Sequence, residues 1–227
     1  MSLWHSHTIL GLEHIPHQGG AVIVWYHGPV PVDYLGLVAR IYLTTGRRVW
    51  SVIDRCLHYL PGMEMFATHL RCGSYSKVSL AGLLEEGQLV GVSPGGAREC
   101  LFDHSCDLMW SKRTGFAKVA RLTQVPVIPI YTENIRLAYR TLQTGSSLSR
   151  FIFETTKWPF VAFYGGFPVG LTTHVGRPIL PKQGESVEQL HQRVTSSMRT
   201  LIKENKGQSS VLAALSERFS VNGSKVE

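Results

Sequence analysis

Residues 21–45 read AVIVWYHGPVPVDYLGLVARIYLTT, and the fold follows from how this run changes character at His27. Ala21 to Tyr26 is a short β-branched and aromatic run, preceded by Gly19-Gly20 and followed by His27-Gly28-Pro29, so it predicts a buried strand ending in a turn. Beyond the turn, Leu35, Leu37, Val38, Ile41 and Tyr42 recur at helical spacing from Asp33 to Thr45, and Asp33 is placed to cap that helix. A strand-to-helix turn therefore holds His27 and Asp33 together.

The same alternation repeats outward. Ser76 to Glu86 (SKVSLAGLLEE) predicts a helix closed by Gly87, and Gln88 to Ser93 (QLVGVS) a strand, with the loop PGGARE directly after it. From Lys112 to Tyr131, KRTGFAKVARLTQ followed by VPVIPIY predicts another helix and another buried strand. Ser186 and Gln189 have capping-box spacing before a helix whose face is Val187, Leu190, Val194, Met198 and Leu201, and a final helix covers about 211–219. Helices alternating with strands predict an α/β layer structure, and the Gly-Ser stretch from Gly145 to Ser149 predicts a flexible loop. A length of 227 residues fits one domain over 1–227, with a core over about 10–180 and C-terminal helices over about 186–220.

Composition narrows the partners. With 44% hydrophobic and 17% charged residues the body of the chain folds rather than staying disordered. A net charge of +7 favours an anionic partner. The basic residues are interleaved with apolar helical patterns instead of gathered on a recognition helix, so nucleic acid is not the expected partner. Cys56, Cys72, Cys100 and Cys106 lack paired spacing and are expected as free, partly buried thiols. His104 between Cys100 and Cys106 lacks a second ligand pair, so no metal site is expected. No run of about eighteen apolar residues spans a bilayer. Trp158 to Gly176 is free of charge but broken by Pro159, Gly165, Gly166, Pro168 and Gly170, which predicts strand and loop; Trp158, Phe160, Phe163, Tyr164 and Phe167 are expected to pack inside, the alternatives being a bilayer interface or an acyl groove.

Three constellations carry chemistry. In His27-Gly-Pro-Val-Pro-Val-Asp33, a carboxylate beside an imidazole would fix its tautomer and stabilise the imidazolium formed when it takes a proton. Taken alone, the pair is more simply a turn histidine and a capping aspartate. In Ser93-Pro-Gly-Gly-Ala-Arg-Glu99, paired glycines let backbone approach a ligand and Arg98 offers a planar multi-donor head; an ordinary glycine turn is the plain alternative. Gly91-Val-Ser93-Pro-Gly95 also fits the nucleophile elbow of a serine esterase, but the residue that should donate its N–H to the oxyanion is Pro94.

Read together, the blocks GLEHIP (11–16), YHGPVPVDYLG (26–36), GVSPGGARE (91–99) and GFAKVARLTQVPVIPIYTENIR (115–136) resemble the phospholipid/glycerol acyltransferase superfamily of PlsC type, nearest its transmembrane protein 68 branch beside the diacylglycerol acyltransferases. The resemblance implies a glycerol-3-phosphate acyltransferase-like layered fold with a mixed, mostly parallel sheet flanked by helices. It implies an O-acyltransferase in glycerolipid and triacylglycerol synthesis that moves a fatty acyl group, with acyl-CoA as co-substrate and no bound cofactor, onto a mono- or diacylglycerol hydroxyl. His27 would be the base and Asp33 its orienting carboxylate. Pro94, Gly95, Gly96, Arg98 and Glu99 would line the acceptor or donor site. Two departures stand out: the usual H-x4-D spacing is here H-x5-D, as in that branch, and the phosphate-binding F-P-E-G-T-R loop is replaced by SPGGARE, which favours a neutral glyceride. The alternatives are the Ser93 esterase and a catalytically inactive lipid-binding module. The branch also implies a membrane-surface partner at the endoplasmic reticulum, facing the cytosol, with hydrophobic anchors upstream of the histidine block; a start 26 residues before His27 fits a short isoform, a fragment or a peripheral form. Arg40, Arg47, Arg48, Arg71, Lys112 and Arg113 are secondary candidates for binding coenzyme A phosphates or lipid head groups.

Overall fold

The computed structural model describes residues 2–54, 63–103, 105–142, 151, 153, 155–156, 162–208 and 210–223. In chain order its strands are β1 (Thr8–Leu10), β2 (Ala21–Trp25), β3 (Val49–Val52), β4 (Cys72–Gly73), β5 (Leu89–Val92), β6 (Val127–Thr132), β7 (Tyr139–Thr141), β8 (Phe163–Gly165) and β9 (Thr172–Val175). Seven of them form one sheet in the order β1-β9-β6-β2-β5-β3-β4, while β7 and β8 pair separately. Within the large sheet β6 and β9 run antiparallel and the other pairings are parallel, so the expected mixed, mostly parallel sheet is the observed one.

β2 lies at the centre between β5 and β6 and is buried along its whole length, which a parallel strand requires because helices cover both faces. Its alternation divides the core. Val22, Val24 and Tyr26 enter a cluster with Leu84, Phe116, Ala120, Leu190, Val194 and Met198 from the helices Lys77–Glu85, Gly115–Thr123 and Val187–Glu204. Ala21, Ile23 and Trp25 enter the opposite cluster with Tyr34, Leu37 and Ile41 of the helix Val32–Thr45. The capping box is formed: Ser186 Oγ accepts from Gln189 N and Gln189 Oε1 from Ser186 N. On that helix Val187 and Leu201 pack half-buried against the cluster, as expected, and Ile202 joins its core.

Several local expectations are corrected. The helix at 32 begins beyond Pro31, so Asp33 lies inside the first turn facing the sheet and makes no cap. The PGGARE segment is a loop only as far as Gly95; Gly96–Phe102 is helical, which places Arg98 and Glu99 on a helix. Phe163 and Tyr164 are exposed on β8, which pairs with β7 outside the main sheet, whereas Phe167 packs against the core. Cys72, Cys100 and Cys106 are free thiols. Cys56, His104, Gly145 to Ser149, Trp158 and Phe160 lie outside the described residues.

Candidate active site

His27 leaves the C-terminal end of β2, where the sheet hands the chain to the turn before the Val32–Thr45 helix. Its Nδ1 lies 2.7 Å from the carbonyl oxygen of Gly28. With the proton on Nδ1, that carbonyl accepts it and Nε2 keeps a free lone pair. The ring stacks on Trp25 at 4.7 Å between centroids, and Trp25 stacks on Tyr34 at 4.3 Å. Tyr34 ends in a hydroxyl 2.7 Å from Ser51 Oγ. This stack needs Gly91, where a Cβ would lie 1.9 Å from the Tyr34 oxygen. Gly28 is likewise required, because a Cβ there would meet Ile135 Cγ1 at 2.5 Å. Burial drives the imidazole pKa down to about 4, so His27 is a neutral base at physiological pH.

Glu99 holds the histidine from behind. Its carboxylate, wholly buried, accepts the backbone N–H of His27 at 3.1 Å through one oxygen and that of Met109 at 3.0 Å through the other. Burial nevertheless outweighs these bonds and raises its pKa to about 7. Gly95 leaves the room this carboxylate occupies, since a Cβ at 95 would come within 2.2 Å of it.

Around Glu99, Arg136 donates from Nε to the Tyr26 hydroxyl and from its terminal nitrogen to the Glu99 carbonyl, and lies 3.5 Å from Asp103 Oδ2. Tyr26 in turn donates to Asp103. Arg113 donates to the Pro94 carbonyl at 2.9 Å and also to that of Gly95. One arginine thus ties the end of β2 to the Gly96–Phe102 helix, and the other fixes the loop that precedes it.

Asp33 is 4% exposed and lies among Trp25, Tyr26, Tyr34, Leu37, Ile130, Thr132 and Thr173. Its Oδ1 has no hydrogen-bond partner, and burial lifts its pKa to about 6. The turn brings Asp33 to the same end of the sheet as His27, joined to it by the Trp25–Tyr34 stack, but Nδ1 is engaged by Gly28 rather than by the carboxylate. Pro94 and Gly95 are buried, and Gly96 and Arg98 are half-buried at the helix start. Ser93 Oγ accepts from Gly96 N at 3.3 Å and serves the turn; among the described residues no histidine hydrogen-bonds to it. Of the six basic candidates, Arg47 is committed to the Pro16, Gly19 and Gly87 carbonyls, Arg113 to the loop, and Arg71 to the Trp50 ring at 4.5 Å, while Arg40, Arg48 and Lys112 are exposed. Sequence reasoning missed Tyr26, Asp103 and Arg136 as one unit. Only the position of Arg136 just after a buried strand hinted at a role.

The acyltransferase family profile matches residues 6–133, and the chain belongs to that family. The crystal structure of the 1-acyl-sn-glycerophosphate (LPA) acyltransferase PlsC from Thermotoga maritima has the same fold: TM-score 0.62 at 17% identity, over 91% of this chain and 75% of that one. The proteins named DGAT1/2-independent enzyme synthesizing storage lipids are similar along almost the whole chain. The bovine one (Bos taurus) is 35% identical over 220 residues and the chicken one (Gallus gallus) 39% over 219, each across 96% of this chain. The chain spans 66% of the bovine protein's length and 65% of the chicken protein's. A diacylglycerol O-acyltransferase 1 from Eremothecium gossypii is 31% identical over 140 residues, 56% of this chain and 30% of that protein.

Proposed function

We propose that this chain transfers a fatty acyl group from acyl-CoA to the hydroxyl of a mono- or diacylglycerol at a membrane surface of the endoplasmic reticulum, with His27 as general base. The observation that carries this reading is the His27 imidazole, neutral and fixed through Nδ1 to Gly28 O, with Nε2 free of partners among the described residues. Nε2 takes the acceptor hydroxyl proton as the oxygen attacks the thioester carbonyl carbon. The C–S bond then breaks, an ester remains, and the coenzyme A sulfur leaves with the proton returned from the imidazolium. Asp33, ionised above about pH 6, supplies the negative charge that favours the imidazolium. Pro94, Gly95, Gly96 and Arg98 form the rim of the acceptor or donor site, and Glu99 sets the backbone of His27 from inside. The names of the bovine and chicken relatives support a storage glyceride as product.

A membrane surface is supported by the Val32–Thr45 helix, which is apolar on both sides. Opposite its core face it exposes Leu35, Ala39, Tyr42 and Leu43, flanked by Arg40, while its sole acid, Asp33, is buried. No helix among the described residues is long and apolar enough to cross a membrane.

The test is labelled oleoyl transfer by membranes containing the expressed protein, with monoacylglycerol, diacylglycerol and lysophospholipid acceptors, comparing wild type, His27→Ala and Ser93→Ala. Histidine-dependent glyceride acylation that survives Ser93→Ala is the expected result. Turnover lost in Ser93→Ala but kept in His27→Ala overturns the mechanism in favour of a serine esterase. No histidine-dependent product from folded, membrane-bound protein favours a lipid-binding module.

A further inference from the structure

Inside the otherwise apolar centre of the sheet, two buried hydroxyls face one another. Thr132 of β6 and Thr173 of β9 are cross-strand partners, exposed by 3% and 1%, with their oxygens 2.8 Å apart. A buried hydroxyl without a partner costs free energy, so a pair at this depth calls for an account of what lies at each end. At one end Thr132 lines the same small cavity as Asp33, where its hydroxyl favours the ionised form of a carboxylate whose Oδ1 has no partner. At the other, Thr173 Oγ1 lies 2.7 Å from Nε2 of His7, a half-buried residue just before β1.

Only one direction of protons satisfies an ionised carboxylate at the inner end. His7 Nε2–H donates to Thr173, Thr173 donates to Thr132, and Thr132 donates to Asp33, each bond polarising the next. We infer that His7, Thr173 and Thr132 form a directed hydrogen-bond chain that positions Asp33 and keeps its carboxylate charged for the reaction. This inference rests on the reading of Asp33 as the charged partner of His27. The three are positioning residues, acting through Asp33 without touching substrate.

The surroundings favour this assignment. The titratable groups facing Asp33 are Tyr26 from the end of β2 and Tyr34 from its own helix, whose hydroxyls are taken by Asp103 and Ser51; among the described residues no cation lines its pocket. The Thr132 hydroxyl, first, and the backbone N–H groups of Tyr34 and Asp33 offset the burial of the charge. At the outer end desolvation, with His5 and Arg40 nearby, holds the His7 imidazole neutral, with a pKa of about 4, which leaves it able to donate a single N–H.

The test replaces Thr173 by the isosteric Val in the full chain. Removing a hydrogen bond that serves a charged group is expected to move the acidic limb of kcat/KM upward by about one pH unit. At pH 5.5 the rate then falls about tenfold, while above pH 8 it stays within about twofold of wild type. Thr173→Ser restores the wild-type profile, and His7→Phe, at the half-buried end, gives a smaller upward shift and serves as the second variant should Thr173→Val not fold. The Asp33 carboxyl is also titrated directly by carbon-13 NMR, its resonance assigned with Asp33→Asn. An upward move in Thr173→Val supports the chain even where turnover is absent, which separates this inference from the catalytic reading. An Asp33 titration unchanged in folded Thr173→Val and His7→Phe overturns it, as does a loss of rate equal at every pH.

Discussion

A single methyl group placed on Gly91 should unseat the histidine from a strand away. The added Cβ would lie 1.9 Å from the Tyr34 hydroxyl oxygen, 3.0 Å from its Cζ and 3.2 Å from Val49 Cγ1. Carbon atoms pack at about 3.5–4 Å, so Tyr34 has to withdraw by more than an ångström. It has little room, since it is 6% exposed, stacked on Trp25 at 4.3 Å and bonded to Ser51 at 2.7 Å. Overpacking costs about 1–3 kcal/mol and losing the buried hydroxyl pair about 1–2 kcal/mol more, so Gly91→Ala is expected to destabilise by about 2–5 kcal/mol. In a chain of this length that lowers Tm by roughly 5–15 °C. Urea unfolding followed by tryptophan fluorescence measures the first figure and calorimetry the second. Activity should fall as well, because Trp25 is shared between Tyr34 and His27. Tyr34→Phe supplies the control: it deletes the colliding oxygen, so the double variant should be at least about 1 kcal/mol more stable than the sum of the single costs implies. The reasoning fails if Gly91→Ala lies within about 0.5 kcal/mol of wild type, or if the two costs simply add.

Two further perturbations probe the buried charges. The Glu99 carboxyl rises from 4.5 to about 7 on folding, so the native state binds its proton more tightly than the unfolded chain, and the stability this group contributes is lost as pH rises from about 4.5 through 7. His27 and His7, whose imidazole pKa values fall to about 4 on folding, contribute the opposite slope over about pH 4–6.5, so Glu99→Gln should shift the slope of unfolding free energy against pH toward positive values in that window; a slope unchanged by the substitution would assign it elsewhere. Arg136→Ala leaves the Asp103 carboxylate, 3% exposed, without its counter-charge and is expected to cost about 3–5 kcal/mol by chemical denaturation. Adding Asp103→Asn should recover part of the loss, and its failure to do so would show that the guanidinium acts through Tyr26 and the Glu99 carbonyl instead.

The centre of the fold was legible because local signals agree there. In β2 and β6 the apolar density that marks a buried parallel strand is uninterrupted, and the glycine and capping-box boundaries of the helices at 77–85 and 187–204 are local devices. The short outer strands of the sheet were not. β1, β4 and β9 are two to four residues long, and their pairing, Thr8 with Thr172 for instance, is a long-range fact without a local pattern. Asp33 shows the limit from the other direction. Its residue type and place suit a helix cap, and only the packing of the helix face Tyr34, Leu37 and Ile41 against Ile23, Trp25 and Ile130 of the sheet turns it inward. The role of Glu99 was hidden for a related reason. In sequence it closes a glycine-rich loop and reads as part of a binding surface, whereas its position on a helical turn aims it at the backbone of a residue 72 positions away.

That anchorage bears on how the spacing of the histidine block can vary through descent. His27 is oriented by the carbonyl of its own neighbour and tethered by Glu99 through its main chain, so neither hold depends on the length of the segment 28–33. An extra residue inserted there changes where Asp33 enters the helix and leaves the imidazole in place. The five residues between His27 and Asp33 are thus compatible with a base held by Gly28 and Glu99.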